Sequence, residues 1–243
     1  MSEPVTLRTV GDIAVLTIDN PPVNALSRQV VEGLVAQLER FMSDESAIGL
    51  VVCAAGRTFV AGGDIADFER PDFSARPLND CLLRLEASER PVVAAVHGTT
   101  LGGGLELAMA CHHRIADAET RFGLPEIKLG LIPGSHGTQR LPRLVGLEAA
   151  ADMIASGRMV GSQEAMSLGL IDSVAPRDAL IDAATDAVRA LAGKTPRRAA
   201  SLPVASAAPD ALAQLESKAA RAADPAPAAA LAALVAARDL PFA

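Results

Sequence analysis

The sequence predicts an α/β fold, and the strongest indication is a design that occurs twice along the chain. Each copy begins with a short apolar run rich in β-branched residues, which is typical of a buried strand. Adjacent glycines and then a run of helix-forming residues follow. One copy spans residues 91–111 and has glycines at 102–104, and the other spans residues 50–68 and has glycines at 62 and 63.

The turn at Gly102–Gly104 is suited to stabilising negative charge. Glycines let the backbone approach a ligand because no Cβ atom is in the way. The first turn of a helix also offers N–H groups without intrahelical partners and a partial positive charge. Glu106 lies three residues after Gly103, on the same helical face. We interpret the stretch as an oxyanion site beside a catalytic carboxylate; close packing and a favourable helix dipole would explain it equally well.

Length and composition limit the classes of function. A chain of 243 residues, half of them hydrophobic, is long enough for one large domain or two small ones and is not expected to be disordered. Aromatic residues make up 2 %, all of them Phe, so Val, Leu, Ile and Ala must form the core. A net charge of −7 argues against a nucleic-acid-binding surface.

Cysteine usage predicts a reducing compartment, and we expect the cytoplasm. Cys53, Cys81 and Cys111 are far apart and show no CxxC spacing; Cys53 and Cys111 lie in apolar runs and are expected to be packing residues. The first residues have no basic region followed by an apolar core, so no signal peptide is predicted. Residues 92–110 form the longest weakly charged segment, but they contain the glycine triplet, His97 and Glu106, so no membrane span is predicted.

The amino-terminal half is predicted to alternate strands and helices. Strands over 5–10 and 13–18 are joined by a glycine-containing hairpin turn. Ser27 is a suitable N-cap for an amphipathic helix that runs to about Phe41. The further predictions are strands over 50–54 and 92–96, a short helix over 64–68, a mobile surface loop over 69–77 and a helix from 78 that ends before Pro91.

The carboxy-terminal half is predicted to be mainly helical. Short strands are expected over 114–117, 120–122 and 171–174, an irregular loop over 124–134 that carries Glu126, and helices over 137–145, 148–156, 162–168 and 177–191.

From Thr195 alanine dominates and prolines are frequent, and we predict helices over 209–223 and 227–238. We therefore divide the chain into a core of residues 1–194 and an alanine-rich helical region of residues 195–243. This region is either a surface that packs on the body or on another subunit, or a loosely packed tail.

Four motifs, in this order, resemble the enoyl-CoA hydratase/isomerase (crotonase) superfamily. They are FVAGGDI at 59–65, GGGLELA at 102–108, FGLPEI at 122–127 and PGSHGTQRL at 133–141. The likeness covers residues 14–175. The motif NPPVNALS at 20–27 and the alanine-rich end are most similar to the hydratase/isomerase part of bifunctional β-oxidation enzymes. No GxGxxG follows a predicted strand, so we expect a relative without their dehydrogenase half.

The resemblance implies a fold and a site. The fold is a spiral of ββα units with a C-terminal helical region, which in this family often builds trimers. Glu106 and Glu126 match the two catalytic glutamates, and Gly63 and Gly103 match the residues whose amides form the oxyanion hole. The residues that would line the CoA groove are Ala61, Gly62, Asp64 and Ile65.

The resemblance also implies an activity: hydration of 2-enoyl-CoA thioesters to 3-hydroxyacyl-CoA in fatty-acid β-oxidation. Such chemistry needs two amide donors for the thioester enolate and two carboxylates for the proton transfers. A Δ3-Δ2-enoyl-CoA isomerase, or another CoA-thioester enzyme of this superfamily, is the alternative in the same fold. A catalytically idle binding or assembly module is the alternative from a different class.

Further expectations concern ligands and assembly. We expect no cofactor or metal beyond the CoA of the substrate, no nucleic-acid partner, and a homo-oligomer, either trimer or hexamer, with a monomer as the alternative. Arg28 or Arg57 could contact the CoA phosphates, or could be solvated surface charges. His136 would stand near the active-site wall by the family analogy, or would have a packing or surface role.

Overall fold

The strands of the chain form two sheets. The structure, a computed structural model, describes residues 3–68, 70–221 and 224–242. Its strands are β1 (Val5–Val10), β2 (Ile13–Ile18), β3 (Gly49–Ala54), β4 (Val92–Val96), β5 (Thr99–Leu101), β6 (His113–Ala116), β7 (Arg121–Gly123), β8 (Val160–Gly161) and β9 (Ser173–Val174). A six-stranded sheet has the order β1-β2-β3-β4-β6-β9, and a three-stranded sheet has the order β5-β7-β8.

The six-stranded sheet is parallel except at one edge. The predicted hairpin is confirmed, because β1 pairs antiparallel with β2 across the Gly11–Asp12 turn. The remaining neighbours in this sheet pair in parallel. Its central strands are buried on both faces, which explains why they appear in the sequence as continuous apolar runs rather than as an alternating pattern.

Ten α-helices are described, and most lie where the sequence predicts them. They are α1 (Arg28–Ser43), α2 (Ile65–Phe68), α3 (Arg76–Glu86), α4 (Gly103–Ala110), α5 (Gly137–Val145), α6 (Leu147–Ser156), α7 (Ser162–Leu168), α8 (Leu180–Leu191), α9 (Pro209–Ala220) and α10 (Ala226–Asp239). Ser27 caps α1 as predicted, because its Oγ accepts a hydrogen bond from the amide of Val30.

Some boundaries differ from the sequence expectation. Helix α3 begins at Arg76, inside the predicted loop, because Pro77 fits the first turn of a helix. The predicted helix over 177–191 begins as a 3-10 turn, Arg177–Ala179, and the loop over 124–134 contains a 3-10 helix, Pro125–Leu129. Residue 69 of the predicted loop and residues 222–223 of the predicted helix over 209–223 lie outside the described residues.

A repeated unit explains how distant parts of the chain meet. In one turn, β4 enters the large sheet, β5 enters the small sheet and α4 follows. In the next turn, β6, β7 and the 3-10 helix Pro125–Leu129 follow the same course. In the preceding turn, β3 is followed by an isolated bridge from Val60 to Thr100 of the small sheet and then by α2. The chain is therefore an α/β spiral of ββα units, as predicted.

The two faces of the large sheet have separate cores. Helix α8 covers one face through Leu180, Ala184 and Val188. The larger core lies on the other face, and it includes Leu231 and Leu234 of α10. Helix α10 packs against α5 and α6 of the same chain. None of the described helices is both long and apolar enough to cross a membrane.

Candidate active site

The two glycine turns predicted as oxyanion donors lie against each other. A Cβ atom placed on Gly103 would be 3.9 Å from the amide nitrogen of Gly63, and one placed on Gly102 would be 3.5 Å from the Cα of Gly62. The spiral brings the two glycine segments together, because each of its ββα units ends at the same place beside the small sheet. The structure thus places Gly63 and Gly103 side by side, although 40 positions separate them in the sequence.

Neither predicted donor amide is used by the surrounding secondary structure. Gly103 is the first residue of α4, so its N–H has no carbonyl partner within the helix. At the other turn the Leu26 amide donates to the Gly62 carbonyl at 2.9 Å, and the Asp64 amide donates to the Leu26 carbonyl at 3.5 Å. The N–H of Gly63 takes part in neither of these two hydrogen bonds. Two amides next to the positive end of a helix are therefore suited to receive an oxyanion.

Gly102 and Gly104, which flank Gly103, are required for different structural reasons. Gly102 has φ +52° and ψ −128°, a backbone conformation that side-chain-bearing residues rarely adopt. A Cβ atom on Gly104 would overlap the carbonyl oxygen of Val60 in the neighbouring turn. Close backbone approach, which the sequence predicts for the triplet, is thus confirmed at Gly104 between two turns of the protein itself.

Glu106 is buried, and one of its oxygens is held by two backbone amides. Its side chain is in the first turn of α4, and its Oε1 accepts hydrogen bonds of 2.7 Å from the amides of Ser135 and Gly137. No described residue donates a hydrogen bond to its other oxygen, Oε2. Burial raises the pKa of Glu106, while the two amides and the charge of Arg140 act in the opposite direction. The carboxylate is therefore fixed at one oxygen and available at the other.

Glu126 faces the same site from the next turn of the spiral. It lies in the 3-10 helix after β7, and its Oε1 is 3.1 Å from the position that a Cβ atom on Gly102 would occupy. Its Oε2 is buried without a hydrogen-bond partner in the described part of the chain. Burial, and secondly the nearby charge of Glu106, raise the pKa of Glu126 to about 7. The structure thus brings the two glutamates and two glycines of the predicted site together.

Comparison with known proteins identifies the family. The chain matches the enoyl-CoA hydratase/isomerase family over residues 8–229. It belongs to that family. Among curated relatives, the Probable enoyl-CoA hydratase of Bacillus subtilis (strain 168) is 43 % identical over 197 residues, which are 78 % of this chain and 76 % of that protein. A solved structure of Pseudomonas aeruginosa DspI has a TM-score of 0.75 and 33 % identity, and covers 80 % of this chain and 77 % of that one.

The predicted likeness to bifunctional enzymes is also found. The Peroxisomal bifunctional enzyme of Danio rerio is 48 % identical over 162 residues, which are 67 % of this chain but only 22 % of that protein. This member of the enoyl-CoA hydratase/isomerase family therefore matches only a small part of the length of its bifunctional relatives.

The segment predicted to line the CoA groove in this family member includes the first glycine turn and continues into helix α2. Gly62 is buried and Ala61 is half-buried. Oδ1 of Asp64, the residue before α2, accepts a hydrogen bond of 3.0 Å from the amide of Ala66 in the first turn of that helix. Ile65 is 61 % exposed, an unusual state for a large apolar side chain, and it offers a contact surface for a ligand beside Gly63.

The two arginines predicted as alternative phosphate contacts differ in position. Arg28 lies at the start of α1, and its Nη2 is 2.8 Å from Oδ2 of Asp72 in a surface ion pair. Arg57 lines an open cavity of about 670 Å³ at the end of the large sheet. None of Gly63, Gly103 and the two glutamates is among the described residues that line this cavity. Arg28 is therefore on the side of the CoA segment, and its amide also bonds Asp67 of α2.

His136 and His112 both contact other groups of the protein. His136 has φ +70° at the N-cap of α5, and its ring stacks on Phe242 with centroids 5.4 Å apart. His112 accepts a hydrogen bond from the Val92 amide and contacts the Glu86 carbonyl at 2.9 Å. Among the described residues, no three His, Cys, Asp or Glu side chains are grouped to hold a metal ion.

Sequence reasoning missed the residues that hold Glu106. Ser135 and Gly137 supply the two amides, and a Cβ atom on Gly137 would lie 2.7 Å from Oε1 of Glu106. A glycine at the first position of a helix is a signal that the backbone is needed there, but nothing local in the sequence indicates Glu106 as the partner. The pairing of Arg140 with Glu86, which supports this turn, could not be predicted either, because 54 positions separate the two residues.

Proposed function

We propose that this chain is an enoyl-CoA hydratase that adds water across the C2=C3 bond of 2-enoyl-CoA thioesters and yields 3-hydroxyacyl-CoA in fatty-acid β-oxidation. The observation that carries the proposal is the pair of glutamates around the glycine turns. Glu106 is held by two amides at one oxygen, and Glu126 lies beside it with a raised pKa. A hydratase needs two such groups, one for water and one for C2.

The glycine turns would stabilise the charge that develops during addition. As the water oxygen bonds to C3, electrons move through the C2=C3 bond onto the thioester oxygen and form an enolate. The N–H groups of Gly63 and Gly103 would donate hydrogen bonds to that oxygen. Donors that are fixed before the reaction lower the barrier, and the loss of one such donor typically costs about 100- to 1000-fold in rate.

The two glutamates would divide the proton transfers. Glu106 would take a proton from the attacking water through Oε2, the oxygen that the backbone does not hold. Glu126 would deliver a proton to C2 as the enolate collapses. Burial and the charge of Glu106 favour the protonated form of Glu126 near neutral pH. The addition changes no overall oxidation level, so we propose that the chain needs no cofactor beyond the CoA of its substrate.

The test is hydration of 2-enoyl-CoA thioesters of short, medium and long chain, followed by the loss of enoyl absorbance. Glu106→Gln should reduce hydration by more than about 100-fold, because the proton transfer from water loses its base. Glu126→Gln should reduce it similarly, because the protonation of C2 loses its acid. If the parent hydrates none of the chain lengths, the proposal is wrong.

Glu164→Gln is a matched control for these variants. Glu164 lies on α7, and its Oε1 is 2.8 Å from Nη2 of Arg158 in a half-exposed surface ion pair. Its loss should leave hydration unchanged, since surface ion pairs contribute only about 0–1 kcal/mol to stability. An equal loss of activity in this variant would show that the other two act through general destabilisation.

Δ3-Δ2-enoyl-CoA isomerisation is the second candidate, and the environment of Glu126 favours it. A single base with a pKa of about 7 and an unpartnered oxygen can carry a proton between C4 and C2. We therefore propose that Glu106→Gln removes hydration but retains isomerisation of 3-enoyl-CoA, whereas Glu126→Gln removes both. Equal loss of both activities in both variants would contradict this division of roles.

We propose further that the chain forms homo-oligomers, with a trimer or hexamer as the expected state, in a reducing compartment such as the cytoplasm. Exposed apolar side chains support association, among them Leu129, Leu131 and Met159. Three buried cysteine thiols without disulfide partners support the reducing compartment. A monomer mass by light scattering would contradict the assembly.

A further inference from the structure

A fully buried ion pair lies behind the turn that holds Glu106. Arg140 of α5 has no exposed surface, and Glu86 at the end of α3 is 3 % exposed. The Arg140 Nε and Nη2 atoms donate to the same Glu86 oxygen, Oε2, at 3.0 and 2.9 Å. A buried charged pair is expensive to desolvate and is weak evidence for stability by itself, so its position requires a separate explanation.

The arginine connects this pair directly to the catalytic turn. Its third nitrogen, Nη1, donates to the carbonyl of Ser135 at 3.2 Å. The amide of the same residue, Ser135, donates to Oε1 of Glu106 at 2.7 Å, and the Gly137 amide donates to that oxygen as well. Arg140 thus holds one end of a three-residue span, Ser135 to Gly137, whose first and last amides hold the carboxylate.

The glutamate is fixed in turn by groups outside the turn. Its Oε1 accepts a hydrogen bond of 2.8 Å from the amide of Ala200, and its backbone carbonyl accepts from Nε of Arg198 at 3.1 Å. The ring of Phe242 lies 5.1 Å from the Arg140 guanidinium and covers it. Both oxygens of Glu86 and all three nitrogens of the guanidinium are therefore used within the protein.

We propose that Glu86 and Arg140 are positioning residues for Glu106. By fixing the Ser135 carbonyl, the pair orients the Ser135 and Gly137 amides so that they hold Oε1 and direct Oε2 toward the attacking water. The ion pair touches no reacting atom. Its effect is confined to the water-activating carboxylate, because Glu126 belongs to a different turn of the spiral. This inference builds on the proposed hydratase function.

The decisive comparison uses variants that separate positioning from folding. Arg140→Met removes the connection but leaves the Glu86 charge buried and unpaired, which destabilises the fold. The double variant Glu86→Gln/Arg140→Met removes both charges and is expected to recover most of that stability. Its hydration kcat should nevertheless stay about 10- to 100-fold below the parent, the range expected for displacement of a catalytic group by up to about 1 Å. KM should change little, because neither residue contacts the substrate.

Isomerisation provides the readout that a purely structural role would not move. It depends on Glu126 alone, so the double variant should isomerise 3-enoyl-CoA within about threefold of the parent while hydration falls. In Arg140→Met the acidic limb of the hydration profile should move to higher pH, because Arg140 lowers the pKa of Glu106 in the parent. Arg140→Lys, which retains the charge but not the three-nitrogen geometry, should retain the acidic limb and lose part of kcat.

Arg114→Met is the matched control. Arg114 is 2 % exposed, its Nη2 is 3.1 Å from Oδ2 of Asp172, and Arg114 also bonds the Leu170 carbonyl. It is a buried paired arginine like Arg140, but its partners Asp172, Leu170 and Cys111 lie next to β9 and at the C-terminal end of α4, away from the turn that holds Glu106. Its loss should lower the melting temperature while the ratio of hydration to isomerisation stays that of the parent.

The outcomes distinguish this inference from the proposed function. If the parent hydrates and the folded double variant retains the parent hydration kcat, or loses both activities equally, the positioning role is wrong. If the parent hydrates nothing, the hydratase proposal fails, and carboxyl 13C NMR titration of Glu106 still decides the role of Arg140. The Glu106 signal should titrate at higher pH in Arg140→Met and be unchanged in Arg114→Met; an unchanged signal in both would overturn the inference.

Discussion

At the scale of single residues, the site is a contrast between two carboxylates with different surroundings. Glu106 is almost wholly buried but receives two short amide hydrogen bonds, which favour its charged form. Glu126 is less buried, yet no described group donates to its Oε2, and the neighbouring charge opposes its ionisation. Burial raises the pKa of both carboxyls, and backbone amides of a neighbouring turn oppose that effect only at Glu106. We therefore expect the proton of the pair on Glu126, which matches the proposed roles of base and acid.

This arrangement predicts the pH dependence in both reaction directions. Hydration requires the pair with one proton, placed on Glu126, and dehydration of 3-hydroxyacyl-CoA requires the same proton on Glu106. Both directions thus use the singly protonated pair, so kcat/KM for both should fall together as pH rises through about 7, where Glu126 ionises. Stopped assays in each direction between pH 5 and about 9 would measure this. Profiles that stay flat across this interval, or that rise through pH of about 7, would contradict the assignment of this proton to Glu126.

At the scale of elements, the strand–glycine–helix turn is the unit that the sequence predicts best. Strand β4, helix α4 and the spacing of Glu106 from Gly103 follow from local pattern, so they are found where the sequence predicts them. Strands β5 and β8 are not predicted, because strands of three and two residues have no periodicity and depend on pairing with distant segments. Both pair with β7, and Thr100 of β5 also forms a bridge to Val60. The amides of Ser135 and Gly137 that hold Glu106 are missed for a related reason, because they come from a turn about 30 positions later.

The proposed oxyanion role of helix α4 is tested at its first residue. Gly103→Pro removes the N–H, and proline is compatible with the first helical position, so turnover should fall about 100- to 1000-fold, the effect of losing one donor. Gly103→Ala retains the N–H, and its methyl would meet the tip of Leu26 at 2.8 Å, a flexible contact that can shift. The alanine variant should therefore fold normally and lose activity mainly through weaker substrate binding.

Circular dichroism and thermal melting must accompany these rates, because a damaged turn would also abolish activity. Gly161→Ala is a suitable control, since Gly161 has φ −85° and a Cβ atom there would meet only the end of the Arg121 side chain. A folded Gly103→Pro variant with near-parent hydration would show that the oxyanion donor lies elsewhere.

At the scale of the whole molecule, the spiral places the ends of successive turns in one site, and the C-terminal helices support that site from outside. Helix α10 packs on α5, the helix that begins in the turn holding Glu106. Nη1 of Arg143 on α5 donates to the Gln139 carbonyl, and its Nη2 donates to the Leu240 carbonyl at 3.3 Å. Residues beyond 195 thus contact the helix that follows the candidate active site, although the division of the chain at that position stays a prediction.

These contacts predict that the two regions unfold together. Leu234 of α10 is 1 % exposed and belongs to the main core, so Leu234→Ala should cost about 2–5 kcal/mol, the usual range for a buried leucine. The loss of helical circular dichroism and the loss of activity should shift to lower temperature together, and the calorimetric and van't Hoff enthalpies should agree. Leu240→Ala, at a side chain that is 61 % exposed, should change stability by no more than about 0.5 kcal/mol.

The chain has no Trp or Tyr, so circular dichroism and calorimetry replace fluorescence. Both are carried out at one fixed protein concentration, because association would shift the melting temperature. An early helical transition that leaves hydration intact would instead show that residues 195–243 form a separately folding region.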